Sequence, residues 1–207
     1  KRQLEAHVGR FRSLEVIVET KGEILDDLTA SDTAVLNADQ SHMASWQRRA
    51  APARIISFGE SSTADVQLVD QLDRGFDGSD ITVDAMGTQI SLRLSIPGKG
   101  GVTNALAAIA ATMALDIDVS LIAQGIEALS PVEGRGNTLH LDKGIRLIND
   151  TYNASPSSVM AALDSLKHAR PPRTAVLADM LELGDDGPDY HREVGRHLSD
   201  LGIERLI

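Results

Sequence analysis

The chain has 207 residues, 20 Lys and Arg against 30 Asp and Glu, a net charge of −10, 42% hydrophobic and 3% aromatic residues, and no Cys. Such a profile belongs to a soluble globular protein and excludes disorder, collagen-like structure, disulfides, thiolate metal sites and cysteine nucleophiles; its length suits one large domain or two small ones, two being the expectation. An acidic surface also argues against a nucleic-acid partner, whose counterions only a basic surface displaces.

No run approaches the roughly 18–20 apolar residues of a membrane span. Glu5, Arg10 and Arg12 break the first 20 residues as no signal-peptide core tolerates, so a cytoplasmic location is expected. From Ser13 to Leu28 the apolar residues Leu14, Ile17, Val18, Ile24, Leu25 and Leu28 recur at helical spacing and predict one amphipathic helix. Thr33–Asn37 and Ala53–Phe58 read as strands on either side of a polar helix containing Trp46. Between Ile81 and Ile96, Ile90, Leu92, Leu94 and Ile96 alternate with Ser91, Arg93 and Ser95, and Met86-Gly87 supplies a turn; an antiparallel hairpin with one wet face follows.

The segment PGKGG at 97–101 breaks that strand and an Ala-rich helix follows, marked by Val102, Leu106, Ile109 and Met113. A second helix starts at Asp118 as N-cap and stops before Pro131. PVEGRGN at 131–137 is the best candidate for a domain boundary, since Pro and Gly punctuate two periodic regions there. Beyond it, strands Thr138–Leu141 and Ile145–Ile148 precede a helix with Ser155 as cap and Pro156 in its first position. Strand Ala175–Leu177, a helix from about Tyr190 to Leu201 and strand Glu204–Ile207 complete the chain. Alternating strand and helix predicts a parallel sheet with right-handed crossovers, and the chain stops inside that pattern.

Several residues could carry chemistry. Lys21 has Ile17, Val18 and Leu25 at helical spacing, which puts it on the apolar stripe of the first helix. Either its stem lies along the core edge with the ammonium snorkelling to water, or burial lowers its pKa and frees the amine for Schiff-base formation or carbamylation. His7 is a lone histidine with an ordinary structural alternative. LINDTYNASPSS at 147–158 sets Asp150, Thr151, Tyr152 and Asn153 between a strand and a helix N-terminus, where open α/β sheets bind ligands; turn and cap chemistry accounts for Ser155 but not for Tyr152. Asp179, Glu182 and Gly184 of ADMLELG occupy the equivalent end of the next strand, a solvated acidic loop being the plain alternative. Gly98, Gly100 and Gly101 with Lys99 could form a phosphate-binding nest, but neither GxxxxGK[ST] nor GxGxxG occurs in the chain. Arg135 could reach a nucleotide, or serve as an interdomain salt-bridge partner.

AHVGRF, SLEVIVETKGEIL, VLNADQ, IPGKGGVTNALAA, PVEGRGN, NDTYNASPSSVMAAL and VLADMLELG with a downstream HREVG resemble the Mur ligases in order and spacing, across nearly the whole chain. The branch they most resemble joins D-Ala-D-Ala to UDP-N-acetylmuramoyl-tripeptide. The resemblance implies an α/β fold: residues 1–133 as the later part of a central mononucleotide-binding ATPase domain with an antiparallel hairpin region, and residues 134–207 as an incomplete Rossmann-like C-terminal domain. A P-loop and a first domain would lie upstream of Lys1, so the 207 residues are expected to be inactive alone.

By the same resemblance, ATP phosphorylates the tripeptide carboxylate, the amine of D-Ala-D-Ala attacks the acyl phosphate, and phosphate leaves. His7 matches a histidine that helps hold Mg2+, and Lys21 a lysine carbamylated in the family, whose carbamate oxygens suit a hard cation; Mn2+ could substitute because imidazole is a less typical magnesium ligand. Asn104 matches an adenine-side asparagine, Arg135 and Asp150 residues contacting ribose and phosphates, and Tyr152 and Asn153 complete the nucleotide-facing motif. Gly100-Gly101 stands where the family usually has His-Asn, and Arg10 and Ala178 where it usually has Gly. Rivals to this reading are a sibling, cyanophycin-type or folylpolyglutamate-type ligase, and a non-catalytic nucleotide-binding module.

Overall fold

The computed structural model describes residues 14–207. Its chain divides into two compact units, one of residues 20–130, the other of residues 131–207 with the described residues up to Glu19.

In the first unit a five-stranded sheet has the order β1-β2-β3-β4-β5, with β1 Thr33–Asn37, β2 Arg54–Gly59, β3 Val66–Asp73, β4 Ser79–Ala85 and β5 Thr88–Leu94. β1, β2 and β3 are parallel neighbours, whereas β3, β4 and β5 form an antiparallel meander. The hairpin expected around Met86-Gly87 is present in full register, from Ala85 opposite Thr88 to Ser79 opposite Leu94. β4 alternates buried and half-buried residues along its length, so one face meets the core and the other water. Strand β3 was not legible in the sequence: VQLVDQLD is mostly exposed and half charged or amide-bearing, with no apolar alternation to betray it.

Helix α1 (Leu14–Gly22) precedes β1, α2 (Met43–Ala50) links β1 to β2, and α3 (Gly98–Met113) covers the sheet. Val102, Ala105, Leu106, Ile109 and Ala110 of α3 are buried in one core with Ile56 and Phe58 of β2, Val66 of β3, Ile81 and Val83 of β4, and Leu92 and Leu94 of β5. The small Ala105 and Ala110 let the helix approach the sheet closely, which is why the Ala-rich sequence works there. α4 (Val119–Glu127) packs Ile122 and Ile126 into the same core, and its N-cap Asp118 accepts a hydrogen bond from the Ser120 N–H at 2.8 Å.

Two expectations change. The helix predicted over 13–28 is α-helical only to Gly22 and becomes a 3-10 turn over Glu23–Leu25, leaving Ile24 83% exposed. A side chain at position 22 would meet the Arg49 Nη1 at 2.8 Å and the Trp46 Nε1 at 3.1 Å, so α2 lies against this end of α1. The Ala-rich helix also begins earlier than Val102, at Gly98, and takes the glycines into its first turn. Gly101 is there because a Cβ would stand 2.6 Å from the Ile96 carbonyl oxygen.

In the second unit, β6 (Asn137–His140) and β7 (Arg146–Asn149) pair antiparallel. α5 (Pro156–Leu166), β8 (Thr174–Ala175), α6 (Gly187–Asp200) and β9 (Arg205–Leu206) follow, β8 and β9 being parallel. The expected single parallel sheet is therefore confined to β8 and β9, and β6–β7 is a separate hairpin with Lys143 and Gly144 in left-handed conformations at its tip. Ser155 caps α5 through a reciprocal box with Ser158, and Pro156 follows it as expected. Leu163, Ala175, Met180, Leu183, Val194, Leu198 and Ile203 form this unit's core.

Candidate functional site

Lys21 is the penultimate residue of α1 and is exposed. Of the two readings of its side chain, the snorkelling one fits: Ile17 and Val18 are half-buried, the helix ends one residue later, and Lys21 is open to water. His7 lies outside the described residues. Asn104 is exposed on the first half of α3, so its amide faces solvent and not the core beneath the helix. The glycine nest expected at 98–101 is replaced by helix, and Lys99 is taken up by an ion pair with Glu60 at 2.7 Å. Lys21 and Asn104 thus stand on different helices of the first unit.

In the second unit three expected residues converge, with Asn153 next to them in the chain. Arg135 sits between Gly134 and Gly136, whose φ angles of 75° and 76° lie in the left-handed region. That local path turns the chain back on the residues after β7: the Gly136 N–H donates to the Asn149 carbonyl at 2.9 Å, and the Tyr152 N–H to the Gly134 carbonyl at 3.0 Å. The Asn137 Oδ1 accepts from the Gly134 N–H at 2.9 Å, and the Asn149 Oδ1 from the Thr151 hydroxyl at 2.7 Å. The Arg135 guanidinium carbon consequently lies 3.7 Å from the centre of the Tyr152 ring, a cation–π contact of about 0.5–1 kcal/mol at such an open position.

Asp150 shares this place. Crowding by surrounding protein atoms pushes its carboxyl above the usual carboxylate range, opposed by the charge of Arg135 and a hydrogen bond from the Gly136 N–H. Asn153 uses its Oδ1 to accept from the Ala154 N–H at 2.9 Å, shaping the approach to the Ser155 cap of α5. Arg135, Asp150 and Tyr152 therefore form one pre-assembled group: a cation, an anion and an exposed aromatic face beside a helix N-terminus. A group of that composition can bind the sugar and phosphates of a nucleotide.

The ADMLELG segment follows β8. Met180 and Leu183 are buried, while Asp179, Leu181 and Glu182 point outward, Leu181 being 74% exposed. Glu182 has φ 61°, an unusual left-handed conformation for a residue with a Cβ. The segment borders a cavity of about 550 Å³ with walls from Val159, Leu177, Ala178, Met180, Val194 and Ile207 and polar atoms from Asp179 and His191. Sequence reasoning singled out the carboxylates here but gave the downstream His191 no role; its spacing from Met180 was the available signal.

Among the described residues no three His, Asp or Glu converge as a metal site requires. An exposed lysine amine offers no oxygen donor, so the described side chains do not by themselves form a magnesium site.

A family model for the Mur ligase middle domain matches residues 4–112, and one for the Mur ligase glutamate ligase domain matches residues 134–207. The chain belongs to the Mur ligase family. The UDP-N-acetylmuramoyl-tripeptide--D-alanyl-D-alanine ligase of Haemophilus influenzae is 32% identical to this Mur ligase chain over 201 residues, 96% of the chain and 43% of that protein. The ligase of the same name from Mycobacterium tuberculosis H37Rv is 34% identical over 213 residues, covering 98% and 41%. Among solved structures, MurF from Acinetobacter baumannii superposes with a TM-score of 0.89 at 28% identity, over 97% of this chain and 43% of that one. MurF from Thermotoga maritima in complex with ADP gives 0.79 at 27% identity, over 93% and 44%. The chain spans less than half the length of these relatives. No helix among the described residues is long and apolar enough to cross a membrane.

Proposed function

We propose that this chain is part of an ATP-dependent amide ligase of the MurF type, which joins D-Ala-D-Ala to UDP-N-acetylmuramoyl-tripeptide in cytoplasmic peptidoglycan precursor synthesis. The observation that carries the reading is the Arg135, Asp150 and Tyr152 group on a chain similar to MurF ligases along almost its whole length. In the proposed reaction the tripeptide carboxylate takes the γ-phosphoryl group of ATP, releasing ADP. The amine of D-Ala-D-Ala then adds to the acyl carbon, and the tetrahedral intermediate expels phosphate as the amide forms.

Arg135 offsets negative charge on the nucleotide, and its stacking on Tyr152 holds the guanidinium in place. Asp150 accepts from ribose hydroxyls, Asn104 reads the adenine side through its exposed amide, and Asn153 keeps the turn before α5 open to phosphate. Lys21, as a carbamate, and His7 are the proposed holders of a Mg2+ ion, for which Mn2+ can substitute; when bound, the ion would neutralise charge on the transferring phosphoryl group. Exposure leaves the Lys21 amine accessible to carbon dioxide.

Two measurements test the reading. Calorimetric titration of ADP into the 207-residue chain and its Arg135→Ala variant should show binding that weakens about tenfold on substitution, in line with loss of a charge-assisted contact. In a protein of the relatives' full length carrying this chain, Lys21→Ala should abolish amide formation and short-chain carboxylic acids should restore part of it. Full activity of Lys21→Ala would sink the carbamate role. ADP binding indifferent to Arg135 would sink the assignment of the nucleotide group.

A further inference from the structure

We propose that His191 is a positioning residue of the ligase, a neutral imidazole that holds the ADMLELG segment in its working shape; its part in turnover rests on the reading above. His191 lies in the second turn of α6, and both ring nitrogens are engaged. Nδ1 lies 2.8 Å from the Gly187 carbonyl, a partner that can only accept, so Nδ1 carries the proton and donates. Nε2 then has a free lone pair and accepts the Met180 N–H at 3.1 Å. A single tautomer therefore satisfies both contacts, and it joins the first turn of α6 to the backbone of the segment after β8.

The bond acts where the segment needs it. Met180 and Leu183 anchor the turn in the core, but between them the chain must adopt the left-handed Glu182 and leave Leu181 in solvent. Such a conformation is costly and persists only when its surroundings over-determine it. Hydrophobic anchoring by Met180 fixes where the segment sits; the His191 bond fixes the orientation of the peptide unit between Asp179 and Met180, and with it the direction in which the chain carries Asp179. The Asp179 carboxylate is 92% exposed, and its Oδ1 stands 3.9 Å from Nε2, beyond hydrogen-bond range. His191 does not use that carboxylate as a partner, so Asp179 stays available at the mouth of the cavity that both residues border.

Among the described residues the bonds of the Arg135 group run among residues 134–152, whereas those of His191 run to Gly187 and Met180. Loss of the His191 bond should thus leave nucleotide affinity alone and show itself in turnover of the acceptor. A Gln at the same position carries an acceptor oxygen and an N–H donor at similar reach, and so should restore the clamp without an imidazole.

The first arm uses the 207-residue chain and amide hydrogen exchange. His191→Ala should speed exchange at Met180 about tenfold, the upper end for loss of one hydrogen bond, and His191→Gln should return it to within about twofold of the parent. Exchange at Ile109 and at Leu198 should be unchanged. The second arm uses the full-length ligase: kcat/KM for D-Ala-D-Ala should fall about tenfold in His191→Ala and recover in His191→Gln, with ADP affinity constant throughout. Unchanged exchange at Met180, a Gln variant no better than Ala, or loss of protection spreading to Leu198 would each overturn the proposal, the last by showing a merely structural histidine. A parent enzyme that forms no amide would overturn the ligase reading and the role in turnover, and is told apart from failure of the clamp by the exchange data.

Discussion

The two units bring their candidate site residues forward by opposite means. In residues 20–130 a five-stranded sheet under α3 makes a large core, yet Lys21 and Asn104 each stand singly on a helix surface. In residues 131–207 the strands are two to four residues long and the core is small, yet Arg135, Asp150 and Tyr152 are already assembled. A broad sheet fixes positions through burial, which says little about what its exposed side chains do. The smaller unit fixes them through local backbone bonds, where Gly134, Gly136, Asn137 and Asn149 shape the chain directly around the site.

The comparison is sharpened most by emptying a core position in each unit. Ile109 is fully buried at the centre of the larger core, and Ile109→Ala should lower the unfolding free energy of that unit by about 3–4 kcal/mol in urea titration. Leu198→Ala, at the edge of the helix pair in the other unit, should cost about 2–3 kcal/mol because its surroundings can collapse more readily. An equal or larger loss at Leu198 would show the small core to be as tightly filled as the large one, and the contrast drawn above would fail.

A smaller effect tests the local mechanism. Ser155→Ala removes the side chain that accepts from the Ser158 N–H and, with it, the reciprocal box that starts α5. The expected cost is about 1 kcal/mol, read as a shift in denaturation midpoint. No change would mean that Pro156 and the packing of Leu163 fix the start of the helix without the cap.

This division also explains what the sequence disclosed. The β4–β5 hairpin, the Asp118 and Ser155 caps and the strand at 33–37 were legible because alternation and capping are local patterns. Strand β3 was not, although its pairing with β4 is equally local, since its own residues are largely exposed and carry no apolar alternation. At the site, Asp150, Tyr152 and Asn153 announced themselves by their place between strand and helix. The stacking of Arg135 on Tyr152 could not be read, because it depends on two left-handed glycines and a backbone bond across 18 residues of chain. The extent of the first helix misled for the reverse reason: helical periodicity ran on past Gly22, but the α-helix did not.

The finest test of locally built structure concerns the other end of the second unit. Arg173 donates to both carboxylate oxygens of Glu204, at 3.1 and 2.8–2.9 Å, and its remaining N–H groups reach the Lys167 and Gly202 carbonyls at 2.9 and 2.8 Å. One guanidinium thereby joins the end of α5, the start of β8 and the turn before β9. Hydrogen bonding from the Arg173 side chain, and then from its backbone N–H, lowers the Glu204 carboxyl from 4.5 to about 2. A group whose folded pKa is depressed contributes stability that is fully present above its unfolded value and is lost as pH falls through its folded one. The melting temperature of the parent should therefore exceed that of Glu204→Gln above pH 4.5, and the gap should close as pH is lowered toward about 2. Because Glu204 is open to solvent while the Arg173 side chain is largely covered, the gap should shrink only in part in high salt. A gap independent of pH would mean that Glu204 matters through the shape of its hydrogen bonds and not its charge, the geometry of the Arg173 fork then adding to the β8–β9 pairing and the shared core in tying these three segments together.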